Sequence, residues 1–241
     1  MIDQPSLAPE YATASDLAGR IDSVDWWATE QALATRGYSL TGPLLDAAQC
    51  EAVAMLYAQE ERFRCRTIAR HHALDRSERQ YFQYPLPALV NQMRERLYRH
   101  LAPIANRRYP ATSAADRFPA RQAVFTQACH AAGQGRPAVL MSKHSAPGYC
   151  TLNGEARGGQ VFPIQVIVFL SRPGAGAVIQ VAGVTRDDAC LSAQGQAVIV
   201  ALDQVDPRHA LHFNGPNVCN PDCLIHRPKN YSLQIAFHDF R

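Results

Sequence analysis

Apolar residues recur at helical spacing in the first half of the chain and gather into short runs in the second, and this change of period organises the molecule. Residues 25–35 (DWWATEQALAT) predict a short helix, with Asp25 or Ser23 as its N-cap and Gly37 as its stop. The adjacent Trp26 and Trp27 cannot share one helical face, so one is expected to pack and the other to cover a neighbour or a pocket rim. Residues 37–45 (GYSLTGPLL) predict a short strand and turn. Asp46 then caps a second helix in which Cys50, Val53, Leu56 and Tyr57 recur as core positions.

Apolar and basic residues alternate in residues 63–70 (FRCRTIAR), which predicts a half-exposed strand. Arg62, Arg64, Arg66, Arg70, His71 and His72 read as a solvated face, with an anion-attracting rim as the less favoured alternative. Tyr84-Pro85-Leu86-Pro87 predicts a rigid bend. Residues 88–101 follow as an amphipathic helix on Leu89, Met93, Leu97 and Leu101, and residues 118–132 as another that ends at Gly133. From Pro137 onward, runs at 138–141, 161–170, 177–184, 196–202, 210–213 and 231–238 predict strands separated by Gly, Pro and Asn.

Helices first and strands afterwards indicate the α+β class, with N-terminal helices supporting a β-sandwich or barrel. Residues 1–22, rich in Pro, Ala and Ser without a period, read as a flexible lead-in. Residues 23–241 read as one domain, a helical layer over 23–136 and a β core over 137–241.

Composition narrows the choice of partner. With 47% hydrophobic and 19% charged residues the chain has enough apolar surface for a core and is not a disordered polymer. A formal charge of +3 does not demand a polyanion, so a small-molecule ligand is expected and nucleic acid is not. No apolar run is long enough for a membrane span. The N-terminal residues lack the basic and apolar regions of a secretory signal, and seven cysteines, an odd number, suit a reducing compartment; a cytoplasmic location is expected. Phosphate-cradling glycine loops, dinucleotide fingerprints and local Cys/His nucleophile signatures are all missing.

The candidate chemistry sits in residues 138–174, two apolar runs flanking a turn-rich segment with Asn153, Gly154, Glu155 and Arg157. Glu155, expected in a pocket walled by Val161, Phe162 and Ile164, is a candidate general acid or base; a solvent-facing loop carboxylate is the alternative. Asn153 and Asn220 are candidates to orient a carbonyl or an enolate, and His144 and Tyr149 to move protons. His209, His212, Cys219, Cys223 and His226 cluster in HALHFNGPNVCNPDCLIH, a set from which a zinc-type site could be built, though its spacing matches no established finger.

Several segments resemble a group of bacterial 2-oxoglutarate/Fe(II)-dependent oxygenases: RGYSLTGPLL, FRCRTIARH, YFQYPLPALV, LAPIANR, CHAAGQGRP, VFPIQVIVFLSRPG and SLQIAFHD. The resemblance runs from about Asp25 onward and implies a double-stranded β-helix core, a squashed jelly roll related to the cupins. It also implies Fe(II) and 2-oxoglutarate as cofactors, the metal being held by a His-x-Asp pair and a distal His. At those positions this chain has Asn153-Gly154-Glu155 and Asn220, which puts both cofactors in doubt. The basic residue that would clamp 2-oxoglutarate falls near Asn230, with Arg227 and Lys229 as possible substitutes. The resemblance gives the closing His238-Asp239 a structural role at a strand end.

The reading that follows is a divergent member of this family, an enzyme acting on a small polar metabolite without the standard iron triad. A metal site rebuilt from the His/Cys cluster and a non-catalytic binding protein are the alternatives.

Overall fold

The structure, a computed structural model, describes residues 14–68, 78–110, 117–144, 148–151, 159–171, 178–181, 189–190, 194–202, 210–213 and 230–240. The helices come first. Asp25 accepts from Ala28 N at 2.8 Å and starts α2 (Trp26–Arg36), which Gly37 closes in the left-handed conformation at φ 77°. Asp46 and Gln49 form a reciprocal capping box at the start of α3 (Ala47–Met55). Of the tryptophan pair, Trp26 stacks on His100 at 4.6 Å and donates to Ile21 O, while Trp27 stands 72% exposed.

Two helices differ from expectation for identifiable reasons. Residues 14–22 are not an unstructured lead-in: they form α1 (Ala14–Asp22), which buries Leu17 and Ile21 against the longest helix, α4 (Ala88–Arg108). One i,i+4 apolar pair is enough to dock so short a helix on a preformed surface. Helix α4 also runs beyond Leu101, through Pro103. Pro103 lies on the exposed side, where the carbonyl of the exposed Arg99 that loses its amide partner faces water. Helix α5 (Gln122–Ala131) starts later than its apolar pattern, because Phe118 is pinned outside it by Asn106, which accepts from Phe118 N at 2.9 Å and donates to Phe118 O at 2.8 Å.

The strands form two larger antiparallel sheets. The first has seven strands in the order β1 (Tyr38–Pro43), β10 (Gln196–Ala201), β7 (Ile164–Phe169), β12 (Asn230–Ile235), β5 (Leu140–His144), β3 (Glu78–Phe82) and β2 (Phe63–Ile68). The second has four: β6 (Gly148–Thr151), β11 (Ala210–Phe213), β8 (Val178–Val181) and β9 (Ala189–Cys190). A two-stranded ribbon pairs β4 (Arg136–Pro137) with β13 (Asp239–Phe240). Strand β12 is thus the link between the β1-β10-β7 half of the large sheet and the β5-β3-β2 half.

Alternation along the strands splits the large sheet into two unlike faces. The outer face sends Met141, Ile164, Val166, Val168, Ala197, Ile199, Leu233 and Ile235 into one cluster with Val90, Met93 and Leu97 of α4. Phe162 joins it, with ring centroids 5.1 Å from Tyr98, 4.8 Å from Phe118 and 5.1 Å from Phe237. Phe162 and Ile164, expected to wall a pocket around Glu155, have their side chains in the helix-side core, and Glu155 itself lies outside the described residues. The α+β class holds, but β1, β2 and β3 come before α4 and α5 in the chain and join the large sheet from within residues 23–136.

Candidate functional site

Of the site residues proposed from sequence, His144, Tyr149 and His212 fall within described strands. Asn153, Glu155, His209, Cys219, Asn220, Cys223, His226, Arg227 and Lys229 lie outside the described residues. The backbone places the rest in pairs. Tyr149 on β6 is the register partner of His212 on β11, and His212 is also opposite Gln180 on β8. His144, the last residue of β5, is opposite Asn230, the first of β12. Two candidate proton carriers are therefore held by paired strands, one beside a candidate metal ligand and one beside the expected clamp position. Among the described residues no group of three or more His, Cys, Asp or Glu is placed to hold a metal.

The inner face of the large sheet, turned away from the helices, carries a feature that periodicity alone had not singled out. Register sets Arg79 of β3 opposite Ser142 of β5, and Ser142 opposite Ser232 of β12. Gln234 follows two residues on in β12, and its Nε2 donates to Ser142 Oγ at 3.5 Å. Gln165, on the neighbouring β7, continues the line diagonally. The five residues make a polar band across four strands, bordered by Leu140, Ile167, Phe169 and Val198. All are buried: Arg79 at 7% exposure, Gln165 at 2%, and Ser142, Ser232 and Gln234 at 0%.

Polar groups that deep are normally paired, and leaving one unpaired costs about 1–3 kcal/mol. Gln165 Oε1 has no hydrogen-bond partner among the described residues. The sequence signal for the band was present, in polar residues at alternate positions of otherwise apolar strands (IQVIVF, SLQIAF), but a short apolar run does not say which face it turns inward.

The charge cluster at the C-terminal end has the structural character expected for it. Asp239 accepts from Arg94 Nη2 at 2.8 Å and from Tyr84 OH at 2.9 Å, and His130 Nε2 lies 2.9 Å from the same carboxylate. Arg94 also donates to Tyr84 OH at 2.8 Å and to Phe237 O at 2.8 Å. Burial pushes the Tyr84 phenol up to about 12, which keeps it a donor to Asp239 at neutral pH. These groups tie β13 to α4 and α5.

Residues 77–240 match the family model Oxygenase-NA, described as an oxygenase catalysing oxidative methylation of damaged DNA. The chain belongs to this oxygenase family. Two uncharacterized Mycobacterium tuberculosis proteins, Rv2227 of strain H37Rv and MT2286 of strain CDC 1551, are each 26% identical over 166 residues, 66% of this chain and 71% of theirs. Among solved structures, a Pseudomonas putida prolyl-4-hydroxylase superposes with a TM-score of 0.52 at 14% identity, over 90% of this chain and 100% of that one. This likeness is one of fold, and the oxygenase-family member described here has the double-stranded β-helix fold with helices packed on its large sheet. None of its helices is long and apolar enough to cross a membrane among the described residues.

Proposed function

We propose that this oxygenase-family protein is an enzyme that takes a small polar metabolite and acts on it without ordinary Fe(II)/2-oxoglutarate turnover. The observation that carries the reading is the donor set at the positions the resemblance assigns to iron, Asn153, Glu155 and Asn220. Fe(II) in this setting is held by two imidazoles and a carboxylate. Two neutral amide oxygens and one carboxylate offer a single negative charge and no nitrogen donor, and this set does not fit Fe(II). The chemistry then rests on the chain's own groups. Glu155 serves as general acid or base, the amides of Asn153 and Asn220 steady a carbonyl or enolate oxygen, and His144 and Tyr149 carry protons. The buried polar band supports a polar ligand, because it gives the inner face hydrogen-bonding groups that an apolar core has no use for.

Elemental analysis of the purified protein, with succinate measured at saturating Fe(II) and 2-oxoglutarate, tests the reading. No bound iron and no succinate are expected; stoichiometric iron with succinate formation overturns it. Glu155→Gln abolishes conversion of a substrate, once one is found, under metal-free conditions. The same elemental analysis reports zinc if His209, His212, Cys219, Cys223 and His226 form a rebuilt metal site.

Membership of a family described as acting on damaged DNA favours a second reading, binding of damaged DNA on this scaffold. A formal charge of +3 gives it little electrostatic help. Titration with a methylated single-stranded oligonucleotide separates the two readings, since DNA binding requires an affinity that falls steeply with salt.

A further inference from the structure

We propose that the cleft between α2 and the outer edge of β1 docks an extended peptide segment of another protein, which joins the large sheet as a further strand and sets an acidic side chain on Arg36. This goes beyond the small-ligand reading, since none of the site residues named above lines the cleft. Its volume is about 540 Å³; one wall is a stripe of α2 (Asp25, Ala28, Thr29, Ala32 and Arg36) and the other is residues 39–44, along β1 and its exit. The stripe and the strand each run about 16 Å, the length of about five extended residues. Among the described residues β1 is paired with β10 alone, and so stands at the edge of the sheet. On the β10 side Gly37 O accepts from Ala201 N at 2.9 Å. Antiparallel alternation then turns the N–H and C=O of Leu40 the other way, towards the cleft that Leu40 lines. An edge with such groups is a template for another chain.

The side chains of the cleft say which kind of partner it fits. Thr29, Ser39 and Thr41 are buried, and their hydroxyls are taken up within the chain. Ser39 Oγ donates to Thr29 Oγ1 at 3.5 Å, while Thr41 Oγ1 donates to Gly42 O at 2.7 Å and accepts from Ala197 N at 3.2 Å. What the cleft offers is therefore the backbone of β1, and a peptide backbone is the ligand that complements it along its length. Ala28 and Ala32 keep the helical wall smooth, which leaves room for a strand with small side chains. Charge fixes the remaining position. Arg20 at the far end is engaged by Leu44 O at 2.8 Å, by Gln49 and by Asp46, and Asp25 caps α2. Arg36, exposed where β1 begins, lies 5.4 Å over the Tyr38 ring, and its guanidinium has no hydrogen bond or ion pair among the described residues. An acidic side chain of the added strand supplies the counter-charge.

Fluorescence anisotropy of a labelled, end-capped Thr-Val-Asp-Val-Thr peptide, titrated with the full chain, tests the site. The peptide is expected to bind, and its Asn counterpart to bind about threefold more weakly, the discrimination of one exposed ion pair. Arg36→Gln removes that difference. N-methylation of the two valines, or of the other three residues, deletes the peptide's N–H groups one side at a time. One of the two forms is expected to lose binding and the other to keep it, because only alternate amides face β1. Ala28→Trp, a change at an exposed helix position, fills the cleft and abolishes binding. No binding at millimolar peptide, equal binding of both methylated forms, or binding untouched by Ala28→Trp overturns the proposal. A dimer that the peptide dissociates, read by sedimentation, assigns the edge to a second copy of this chain and overturns it too. So does peptide binding gained only after removal of residues 1–13, which gives the cleft to the chain's own N-terminal segment. None of these outcomes bears on the small-ligand reading, which iron-dependent succinate formation overturns.

Discussion

Replacing Asp239 by Asn removes one charge from a fully buried pair while keeping its shape. Asp239 is 0% exposed and Arg94 2%. In the wild type the carboxylate answers Arg94 through Oδ1, and Tyr84 and His130 through Oδ2. An asparagine has one carbonyl oxygen, so its NH₂ must point either at the guanidinium or at the phenol. Whichever orientation it takes, Arg94 keeps its charge and loses its counter-ion. Removing one partner of a buried ion pair costs about 3–5 kcal/mol. At about 2–4 °C per kcal/mol for a chain of this size, the melting temperature should fall by about 6–20 °C. Thermal melting followed by circular dichroism, with a guanidinium titration to check that the slope is unchanged, reads the effect. Removing both charges, as Arg94→Met with Asp239→Leu, should recover part of the loss, because a well-packed apolar pair carries no desolvation penalty. A shift below about 3 °C for Asp239→Asn would refute the claim that the pair is dry and essential to the closing of β13.

Three further outcomes follow from local geometry. Gly195→Ala should destabilise by more than about 2 kcal/mol in a chemical melt: Gly195 has φ 82°, and an added Cβ would stand 2.0 Å from Leu45 O, a backbone atom that cannot swing aside. Alkylation at pH 8 with peptide mapping should modify the exposed Cys65 and spare the buried Cys50 and Cys129, since burial pushes the Cys50 thiol up to about 12 and raises that of Cys129. Arg107 hydrogen-bonds Glu30 at 2.6 and 2.7 Å and holds its carboxyl below the ordinary value of 4.5. That contribution is present above the ordinary carboxylate range and is lost as pH falls through the lowered value. Arg107→Ala should therefore cost less than about 1 kcal/mol at neutral pH, and the difference from wild type should vanish in acid melts.

Elements announced by local chemistry were legible in the sequence. The Asp25 and Asp46 caps, the Gly37 stop and the bend at Tyr84–Pro87 each follow from what one or two residues do to their own backbone. Elements that depend on a distant surface were not. Helix α1 exists because Leu17 and Ile21 meet α4, far away in sequence, and the stretch around them has no period of its own. The facing of the strands was equally hidden. Residues 161–170 read as one apolar run, yet Ile164 and Val166 go to the helices while Gln165 and Ile167 go to the opposite face, and only the register with β10 and β12 reveals the division. The polar band was hidden in consequence. Residues 153 and 155 are singled out by resemblance alone and lie outside the described residues, whereas Arg79 carries no local mark and acquires its setting from Ser142 and Ser232 across two strand pairings.

The position of β12 has a consequence for how the protein comes into being. A chain emerging from the ribosome can lay down β1, β10 and β7 as one antiparallel patch and β2, β3 and β5 as another, each with its own hairpins and neighbours. The seam between the patches is filled by Asn230–Ile235, near the end of the sequence, and Ser232 and Gln234 sit on that seam. The polar floor is therefore complete only once β12 has been made and has inserted between the two patches it joins. A chain made only as far as the strands before β12 holds the two margins of the floor but not its middle.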